Sequence, residues 1–228
     1  MGPRGGLADR GGHRRRRHRD RPEGQPLVAA RFIALEGIDG SGKSTQAARL
    51  ADALRARGHD VLLTREPGGT PVGERLREVV LSSGGNVEPA AEALIFAAAR
   101  AQLVAEVIRP ALADGRWVVA DRFVDSSLAY QGAARGLGID AVWELNRIAV
   151  EGCLPDLAVV LDVPGPLAAG RRGPADRIEA EGLALQDAVA AGYRELARRF
   201  PSRVALVPAD GSVEEVHHAV LARVDATP

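Results

Sequence analysis

Cysteine, lysine and long apolar runs are nearly missing from this 228-residue chain. The single cysteine, Cys153, cannot form an internal disulfide, which favours a reducing, cytoplasmic location. No run reaches the roughly 18 apolar residues of a membrane helix, and no secretory signal pattern is present, so we expect no membrane association. Twenty-nine arginines accompany one lysine, Lys43, in a chain of zero formal net charge. The only lysine is therefore a candidate functional residue.

The first 26 residues differ in composition from the rest. Eight Arg against three acids give them a charge of about +5, and they show no apolar period, so we predict a disordered tail. The run Arg14 to Arg17 suits contact with nucleic acid or an acidic surface, but a solvated tail or a start codon placed too early explains it more simply. Residues 27–228 are predicted to form a single domain, with no nucleic-acid partner expected.

Short apolar runs alternate with helical patterns from residue 27 onward. The predicted strands are Phe32 to Leu35, Val61 to Thr64, Trp117 to Ala120, Leu157 to Leu161 and Val204 to Val207. A helix is predicted over Ser44 to Arg57, and a long helix follows Pro89. Continuous apolar runs fit strands that are buried on both faces. The pattern predicts a three-layer α/β fold, with a five-stranded parallel sheet flanked by helices.

A glycine-rich segment follows the first predicted strand and opens a helix. Residues 37–44 (GIDGSGKS) match the phosphate-binding P-loop pattern in full, so we expect a P-loop NTPase fold. Backbone N–H groups would hold phosphate oxygens, Lys43 would reach the β- and γ-phosphates, and the Ser44 hydroxyl would ligate Mg²⁺. The alternative is a glycine-rich turn with a solvated lysine. The predicted ATP-binding residues are Gly37, Ile38, Asp39, Gly40, Ser41, Gly42, Lys43, Ser44 and Thr45.

A P-loop alone indicates only a nucleoside-triphosphate site. A GTPase would usually carry an Asn-Lys-x-Asp motif, which a chain with Lys43 as its only lysine cannot contain. Asp121 and Arg122 follow the third predicted strand, and ligands of parallel sheets bind at the carboxyl ends of strands. Asp121 could hold Mg²⁺ through water, and Arg122 could bind an acceptor phosphate. A structural ion pair explains the two residues equally well.

Phe96 and Arg100 lie four residues apart, so they share one face of the long helix. An aromatic ring can stack on a base while a guanidinium group bonds the base edge. A core phenylalanine beside a surface arginine is the commoner explanation of such a pair. Aromatic residues are scarce, however, and three of the eight (Phe96, Phe123 and Tyr130) fall near these two candidate segments, which favours a base site.

Residues 165–177 are predicted to form a mobile loop. Glycines and Pro174 interrupt the segment, and Arg171, Arg172 and Arg177 give it positive charge. A lid that carries an arginine onto a transferring phosphoryl group would exclude water and neutralise developing charge. An exposed basic loop is the alternative.

Taken together, these segments resemble the thymidylate kinases. The matching stretches are residues 32–46 (FIALEGIDGSGKSTQ), 64–70 (TREPGGT), 92–102 (EALIFAAARAQ), 121–132 (DRFVDSSLAYQG), 154–162 (LPDLAVVLD) and 175–179 (ADRIE). Their order and spacing agree across the chain from residue 30 to residue 220. The combination of TREPGG with the DRF-to-AYQ segment is specific to that family.

The resemblance implies a homodimer that phosphorylates dTMP to dTDP with Mg-ATP, in dTTP synthesis. It implies that Asp39 orients the acceptor phosphate and the metal, that Phe96 stacks on thymine, and that Arg100 bonds a thymine carbonyl. Tyr130 would lie near the sugar and disfavour a ribonucleotide. The resemblance also implies that Arg65, Arg77 and Arg122 contact the dTMP phosphate or its surroundings, and that Ser126, Ser127 and Gln131 line the base and sugar.

The family carries its catalytic arginine either in the P-loop or in the lid. The variable P-loop positions, residues 38–41, hold no arginine, so this chain resembles the bacterial type with a lid arginine. Arg172 is predicted to bridge donor and acceptor, with Arg171 as the second candidate. The predicted catalytic residues are Lys43, Arg172, Arg171, Asp39 and Arg122, and the predicted metal ligands are Ser44 and Asp121.

Two other functions remain compatible with the sequence. One is a P-loop kinase with another nucleotide or a small metabolite as acceptor, although a sugar or shikimate site needs no stacking ring such as Phe96. The other is a nucleotide-binding regulator anchored to nucleic acid by the basic tail. The rest of the chain lacks a second basic or aromatic-rich surface, which argues against the regulator.

Overall fold

The computed structural model describes residues 30–82, 86–171 and 176–227. The predicted tail (residues 1–26), the proposed start of the domain at residue 27 and the candidate Arg172 lie outside the described residues. In the part of the chain that is described, no helix is both long and apolar enough to cross a bilayer.

One sheet of five parallel strands forms the centre of the molecule. The strands are β1 (Phe32–Gly37), β2 (Val61–Arg65), β3 (Trp117–Asp121), β4 (Leu157–Asp162) and β5 (Val204–Pro208), in the order β2-β3-β1-β4-β5. These bounds confirm all five predicted strands. The prediction succeeded because continuous apolar runs are typical of strands covered on both faces. β1 lies between β3 and β4, and all six of its residues are buried.

Nine α-helices connect or flank these strands in the described residues. They are α1 (Lys43–Ala56), α2 (Pro71–Leu81), α3 (Pro89–Leu103), α4 (Arg109–Ala113), α5 (Val124–Ser127), α6 (Ile139–Val150), α7 (Gly165–Ala169), α8 (Leu183–Arg199) and α9 (Val213–Asp225). Two π-helical segments, Val104–Ile108 and Leu128–Ala134, extend α3 into α4 and prolong α5. The expected three-layer α/β fold is therefore confirmed.

The start of α1 differs from the starts of α2 and α9. Thr70 caps α2 by accepting a hydrogen bond from the Gly73 backbone N–H, and Ser212 caps α9 in a reciprocal capping box with Glu215. The first residue before α1 is Gly42, at φ 94°, and no side chain caps the helix. The starts of α3, α6 and α8 likewise have no side-chain cap; at α1 the uncapped N–H groups follow the glycine-rich loop, where they can bind an anion.

The apolar face of α1 anchors the glycine-rich loop to the sheet. This face consists of Ala47, Leu50, Ala51 and Leu54, which are buried in the main core with β1 and β3. Because both ends of the loop continue into buried elements, the loop is held at the carboxyl edge of the sheet.

Candidate active site

A cavity of about 840 Å³ opens at the carboxyl end of the strands. It is lined by the glycine-rich loop, by the ends of β2 and β3, and by residues of α3, α5 and the segment after α7. The predicted site residues in its wall are Asp39, Gly40, Ser41, Gly42, Lys43, Ser44, Thr45, Arg65, Arg77, Phe96, Asp121, Arg122, Ser126, Ser127, Tyr130, Gln131 and Arg171. Gly37, Ile38 and Arg100 lie outside this lining. The structure thus gathers most of the predicted residues, which are scattered along the sequence, around one space.

The glycine-rich loop has the tight backbone that a phosphate cradle needs. Gly37 has a φ of 138°, and a Cβ atom there would lie 2.8 Å from the Leu161 carbonyl oxygen, so no larger residue fits. The Lys43 Nζ, which is almost fully buried, donates a hydrogen bond to the Ile38 carbonyl at 2.7 Å. Burial, together with the nearby Arg122, lowers the pKa of Lys43 to about 8. On nucleotide binding, the ammonium group of Lys43 could exchange its hydrogen bond to the Ile38 carbonyl for one to a phosphate oxygen.

Ser44 and Asp121, the predicted metal ligands, lie side by side. The Ser44 hydroxyl donates to Asp121 Oδ2 at 2.5 Å. A hydroxyl and a carboxylate oxygen are the hard donors that Mg²⁺ prefers, and Mg²⁺ in kinases takes its remaining ligands from water and substrate phosphates. The residues present therefore fit the magnesium ion.

Asp39 and Arg122 form an ion pair at the centre of the cavity wall. Tyr130 and Gln186 each donate to Asp39 Oδ2 at 2.9 Å. Burial opposes ionisation of Asp39, but Arg122, Lys43 and these two hydrogen bonds outweigh it and lower the carboxyl pKa to about 2. Asp39 is thus a permanent anion at neutral pH.

The backbone of Arg122 is strained. Its φ is 71°, a left-handed conformation that is uncommon for residues with a side chain. This turn directs the guanidinium group back toward the loop, where it donates to the Gly37 carbonyl and the Ser126 hydroxyl, both at 3.2 Å. The left-handed backbone at the end of β3 therefore holds the Arg122 guanidinium group beside the glycine-rich loop, where it can bind a phosphate.

Two further arginines line the same cavity. Arg65, at the end of β2, pairs with Glu74, while Arg77 of α2 donates to the Pro67 carbonyl at 3.0 Å. Phe96 of α3 is partly buried and also lines the cavity. Guanidinium groups and an aromatic face in one cavity are the combination that a nucleotide phosphate and its base require.

Arg100 occupies a different position from its helical neighbour Phe96. Its side chain is buried, and all three guanidinium nitrogens donate to protein acceptors. These acceptors are the Glu66 carboxylate, the Ser127 hydroxyl, the Asn146 side-chain oxygen and the Phe123 carbonyl. The predicted contact with a thymine carbonyl stays a prediction, and it requires one of these hydrogen bonds to be exchanged.

Sequence reasoning assigned no role to Glu36, a fully buried carboxylate within β1. Glu36 accepts from the Phe123 backbone N–H at 2.8 Å, the Ser126 hydroxyl at 2.6 Å and the Tyr193 hydroxyl at 2.9 Å. Burial, followed by repulsion from Asp125, raises its pKa to about 7. A carboxylate inside an otherwise apolar strand was the available signal, because such a group needs partners from other elements.

Gln186 of α8 was also missed. It accepts from the Asp39 backbone N–H at 3.1 Å and donates to the Asp39 carboxylate at 2.9 Å. The two residues are 147 positions apart, and no local pattern marks the contact. Gln186 therefore holds the loop and its acidic side chain together.

Three features define an enzyme of the P-loop NTPase fold. They are the parallel sheet, the glycine-rich loop after its central strand, and Asp121 and Arg122 at the end of β3. Comparison with known proteins narrows this class. Residues 35–220 match the family model described as thymidylate kinase. The thymidylate kinase of Syntrophotalea carbinolica is 50% identical over 199 residues, covering 83% of this chain and 92% of that protein.

Other relatives agree. The thymidylate kinase of Deinococcus radiodurans is 46% identical over 196 residues, covering 85% of this chain and 95% of the relative. The crystal structure of thymidylate kinase from Ehrlichia chaffeensis superposes with a TM-score of 0.71 at 30% identity, covering 86% of this chain and 99% of that one. The chain belongs to the thymidylate kinase family, whose members are nucleoside-monophosphate kinases that use ATP to phosphorylate dTMP for dTTP synthesis.

Proposed function

We propose that this cavity transfers the γ-phosphoryl group of Mg-ATP, in line, to the 5′-phosphate of dTMP, giving dTDP and ADP. One observation carries the proposal: the phosphate cradle, the acceptor-side arginines and the aromatic ring of Phe96 all line one continuous cavity. The reaction needs little covalent chemistry, because positioning and charge neutralisation supply most of the rate enhancement in phosphoryl transfer. The acceptor phosphate is already ionised near neutral pH, so no general base is needed.

The donor side consists of the glycine-rich loop and the uncapped start of α1. Backbone N–H groups from this segment would hold the ATP phosphates, and Lys43 would leave the Ile38 carbonyl for a phosphate oxygen. Ser44 and Asp121 would hold Mg²⁺, Asp121 through water. When bound, the ion neutralises charge on the phosphate oxygens.

The acceptor side is built from the ends of β2 and β3 and from α2 and α3. Arg65, Arg77 and Arg122 would bind the dTMP phosphate, and Asp39 would orient Arg122, the acceptor phosphate and the metal. Phe96 would stack on thymine. Contacts with the base and sugar are assigned to Ser126, Ser127, Tyr130 and Gln131, which line the same cavity.

The catalytic arginine is assigned to the segment that follows α7. Arg171 donates to the Ala209 carbonyl at 2.9 Å, which ties its side chain to the loop before α9. Arg172 is therefore the preferred candidate for the transferring phosphoryl group. Arg172→Ala should lower kcat by about a thousandfold, as the loss of an arginine finger does. Arg171→Ala should mainly raise the KM for ATP. Steady-state kinetics of both variants measures these effects. A larger loss in kcat for Arg171→Ala would assign the catalytic role to Arg171 instead.

We also propose that the enzyme is a cytoplasmic homodimer. Leu94 on α3 and Ile148 on α6 are 57% and 75% exposed, and these two helices pack against each other. Exposed large apolar side chains on adjacent helices favour contact with a second copy. Sedimentation velocity of the purified chain tests the dimer, since a monomer at every concentration contradicts it.

The cytoplasmic location is supported by the single, half-buried Cys153, which suits a reducing compartment.

The decisive experiment measures ADP release from Mg-ATP with dTMP, dUMP, AMP, CMP, dGMP or shikimate as acceptor. Fast turnover of dTMP, slower turnover of dUMP and little with the others supports the proposal. Turnover of a different acceptor would retain the kinase and discard the thymine site. Binding of ATP without turnover of any acceptor would favour a nucleotide-binding regulator.

Lys43→Ala is the matched variant for that experiment. The substitution should abolish turnover while the fold remains intact, because it removes a phosphate contact that is strongest in the transition state. Circular dichroism provides the control for folding. A variant with near-native turnover would contradict the assignment of the phosphate cradle.

A further inference from the structure

Glu92, on α3, is a buried carboxylate that has no role in the proposed reaction. Its side chain is inaccessible to solvent and accepts hydrogen bonds from three residues. Gln131 Nε2 lies at 2.9 Å, and Arg135 donates from both Nε and Nη2 at 3.0 Å. Arg177 Nη2 is the third donor. The donors come from the π-helical segment 128–134, from the residue that follows it and from the segment before α8.

The surroundings of Glu92 keep it ionised. Burial alone would raise the pKa of this carboxyl, but hydrogen bonds from Arg135, Arg177 and Gln131 outweigh burial and lower the pKa. An ionised carboxylate can accept hydrogen bonds but cannot donate one. Gln131 must therefore turn its amide nitrogen toward Glu92, since the opposite orientation would set its oxygen against the carboxylate.

This constraint decides which atom Gln131 offers to a ligand. Gln131 is almost fully buried and lines the cavity on the side assigned to the base. With one Nε2 hydrogen held by Glu92, the amide cannot turn over, so Oε1 stays on its other side, where it can only accept, while the second Nε2 hydrogen remains a donor. Among the described residues, no group donates a hydrogen bond to this oxygen. The pocket therefore presents a fixed acceptor.

We propose that Glu92 is a positioning residue for base selectivity, which it sets by fixing the orientation of the Gln131 amide. The inference rests on the proposed function and deepens it. A fixed acceptor suits pyrimidines that carry an N–H at ring position 3, namely thymine and uracil. Cytosine has an unprotonated nitrogen at that position, which would place two lone pairs face to face. If the Gln131 amide could rotate freely, it could bind either thymine and uracil or cytosine.

Charge balance alone does not require the contact with Gln131. Arg135 and Arg177 supply two positive charges beside Glu92, and Arg135 also pairs with Glu181 at 2.5 Å. The ion-pair cluster would be complete without an amide. A purely structural role for Glu92 therefore predicts no effect on which base is bound.

Competition calorimetry with dUMP and dCMP, in the absence of ATP, tests the proposal. These ligands both lack the thymine methyl group and differ only at ring nitrogen 3 and the substituent on carbon 4, the edge that the proposal assigns to Gln131. Glu92→Gln lets the amide of Gln131 rotate, so the ratio of Kd for dCMP to Kd for dUMP should fall by about tenfold. The matched control is Glu181→Gln, which removes a carboxylate from Arg135 without contacting Gln131, and its ratio should equal that of the wild type.

A double variant, Glu92→Gln with Gln131→Glu, provides the rescue. It exchanges the two side chains, so position 131 again offers only oxygen atoms, and the preference for dUMP should return. It also serves if Glu92→Gln does not fold, because it keeps one carboxylate and one amide in the cluster. A double variant without preference for dUMP would overturn the proposal, as would a Glu92→Gln variant that binds both ligands weakly at an unchanged ratio. Wild-type protein that does not turn over dTMP would instead refute the proposed function.

Discussion

Glu36 shows how one residue connects the sheet with the candidate active site. It receives three hydrogen bonds from residues of α8 and of the segment after β3, including Ser126, which also binds Arg122. The carboxylate thus supports the arginine that is assigned to the acceptor phosphate. Its pKa of about 7, against an ordinary value of 4.5, means that part of this network changes charge near neutral pH.

Glu36→Gln should change the pH dependence of stability. The folded pKa lies above the unfolded value, so the native state binds more protons between pH 4.5 and 7, and wild-type stability falls as the pH rises through this window. The variant has no such titration. The free energy of unfolding of the wild type relative to Glu36→Gln should therefore fall by an amount on the order of 3 kcal/mol from pH 4.5 to pH 8. Urea unfolding at several pH values measures it, and a constant difference contradicts it.

Residues of the site were predictable where they are consecutive in the sequence. The glycine-rich loop, Asp121 and Arg122 could be recognised because each follows a predicted apolar run, and strand ends meet at one edge of a parallel sheet. Gln186 could not be recognised, since its contact with Asp39 depends on how α8 packs. Arg100 shows the limit of helical spacing: it shares a face with Phe96, yet Glu66 and Asn146 bind its guanidinium group inside the protein.

At the scale of elements, one arginine ties the segment before α8 to two helices. Arg177 donates from its side chain to Glu92 on α3 and to the Val80 carbonyl at the end of α2. Its backbone N–H donates to the Leu81 carbonyl at 3.3 Å. The segment that follows the candidate catalytic arginine is thereby fixed to the acceptor side of the cavity.

Arg177→Gln should destabilise the protein measurably. Removing one partner of a buried pair typically costs about 3–5 kcal/mol, and we expect about 2 kcal/mol because Arg135 still binds Glu92. The matched control is Arg198→Gln, since the Arg198–Glu195 pair on α8 is largely exposed and should change stability by less than about 1 kcal/mol. Equal losses for the two variants in denaturant unfolding would show that Arg177 is not an anchor.

Elements themselves were predicted unevenly. The five strands and α1 were evident, because buried apolar runs and a one-sided apolar face are local signals. The π-helical segment Leu128–Ala134 was not predicted, although it carries Tyr130 and Gln131. Its irregular hydrogen bonding leaves no mark on residue type, and it arises where α5, α6 and α8 pack around the same residues.

At the scale of the whole molecule, the family match covers the cavity and leaves the basic tail outside. The relative from Syntrophotalea carbinolica matches 83% of this chain but 92% of its own length, and the family model begins at residue 35. Removal of residues 1–26 should therefore leave kcat/KM for dTMP within about twofold of the full chain. Salt-sensitive retention on DNA that disappears with this truncation would give the tail a separate role.

The scarcity of lysine has a practical consequence for chemical labelling. Apart from the N-terminal amine, Lys43 is the only primary amine in the chain, and its lowered pKa leaves more of it unprotonated near neutral pH than an ordinary lysine. A small acylating reagent should therefore modify one internal peptide, at a rate set by access through the cavity. Because Lys43 is proposed to bind the ATP phosphates, saturating Mg-ATP should suppress the labelling. Mass spectrometry of the labelled protein would then report occupancy of the proposed ATP site without an engineered reporter.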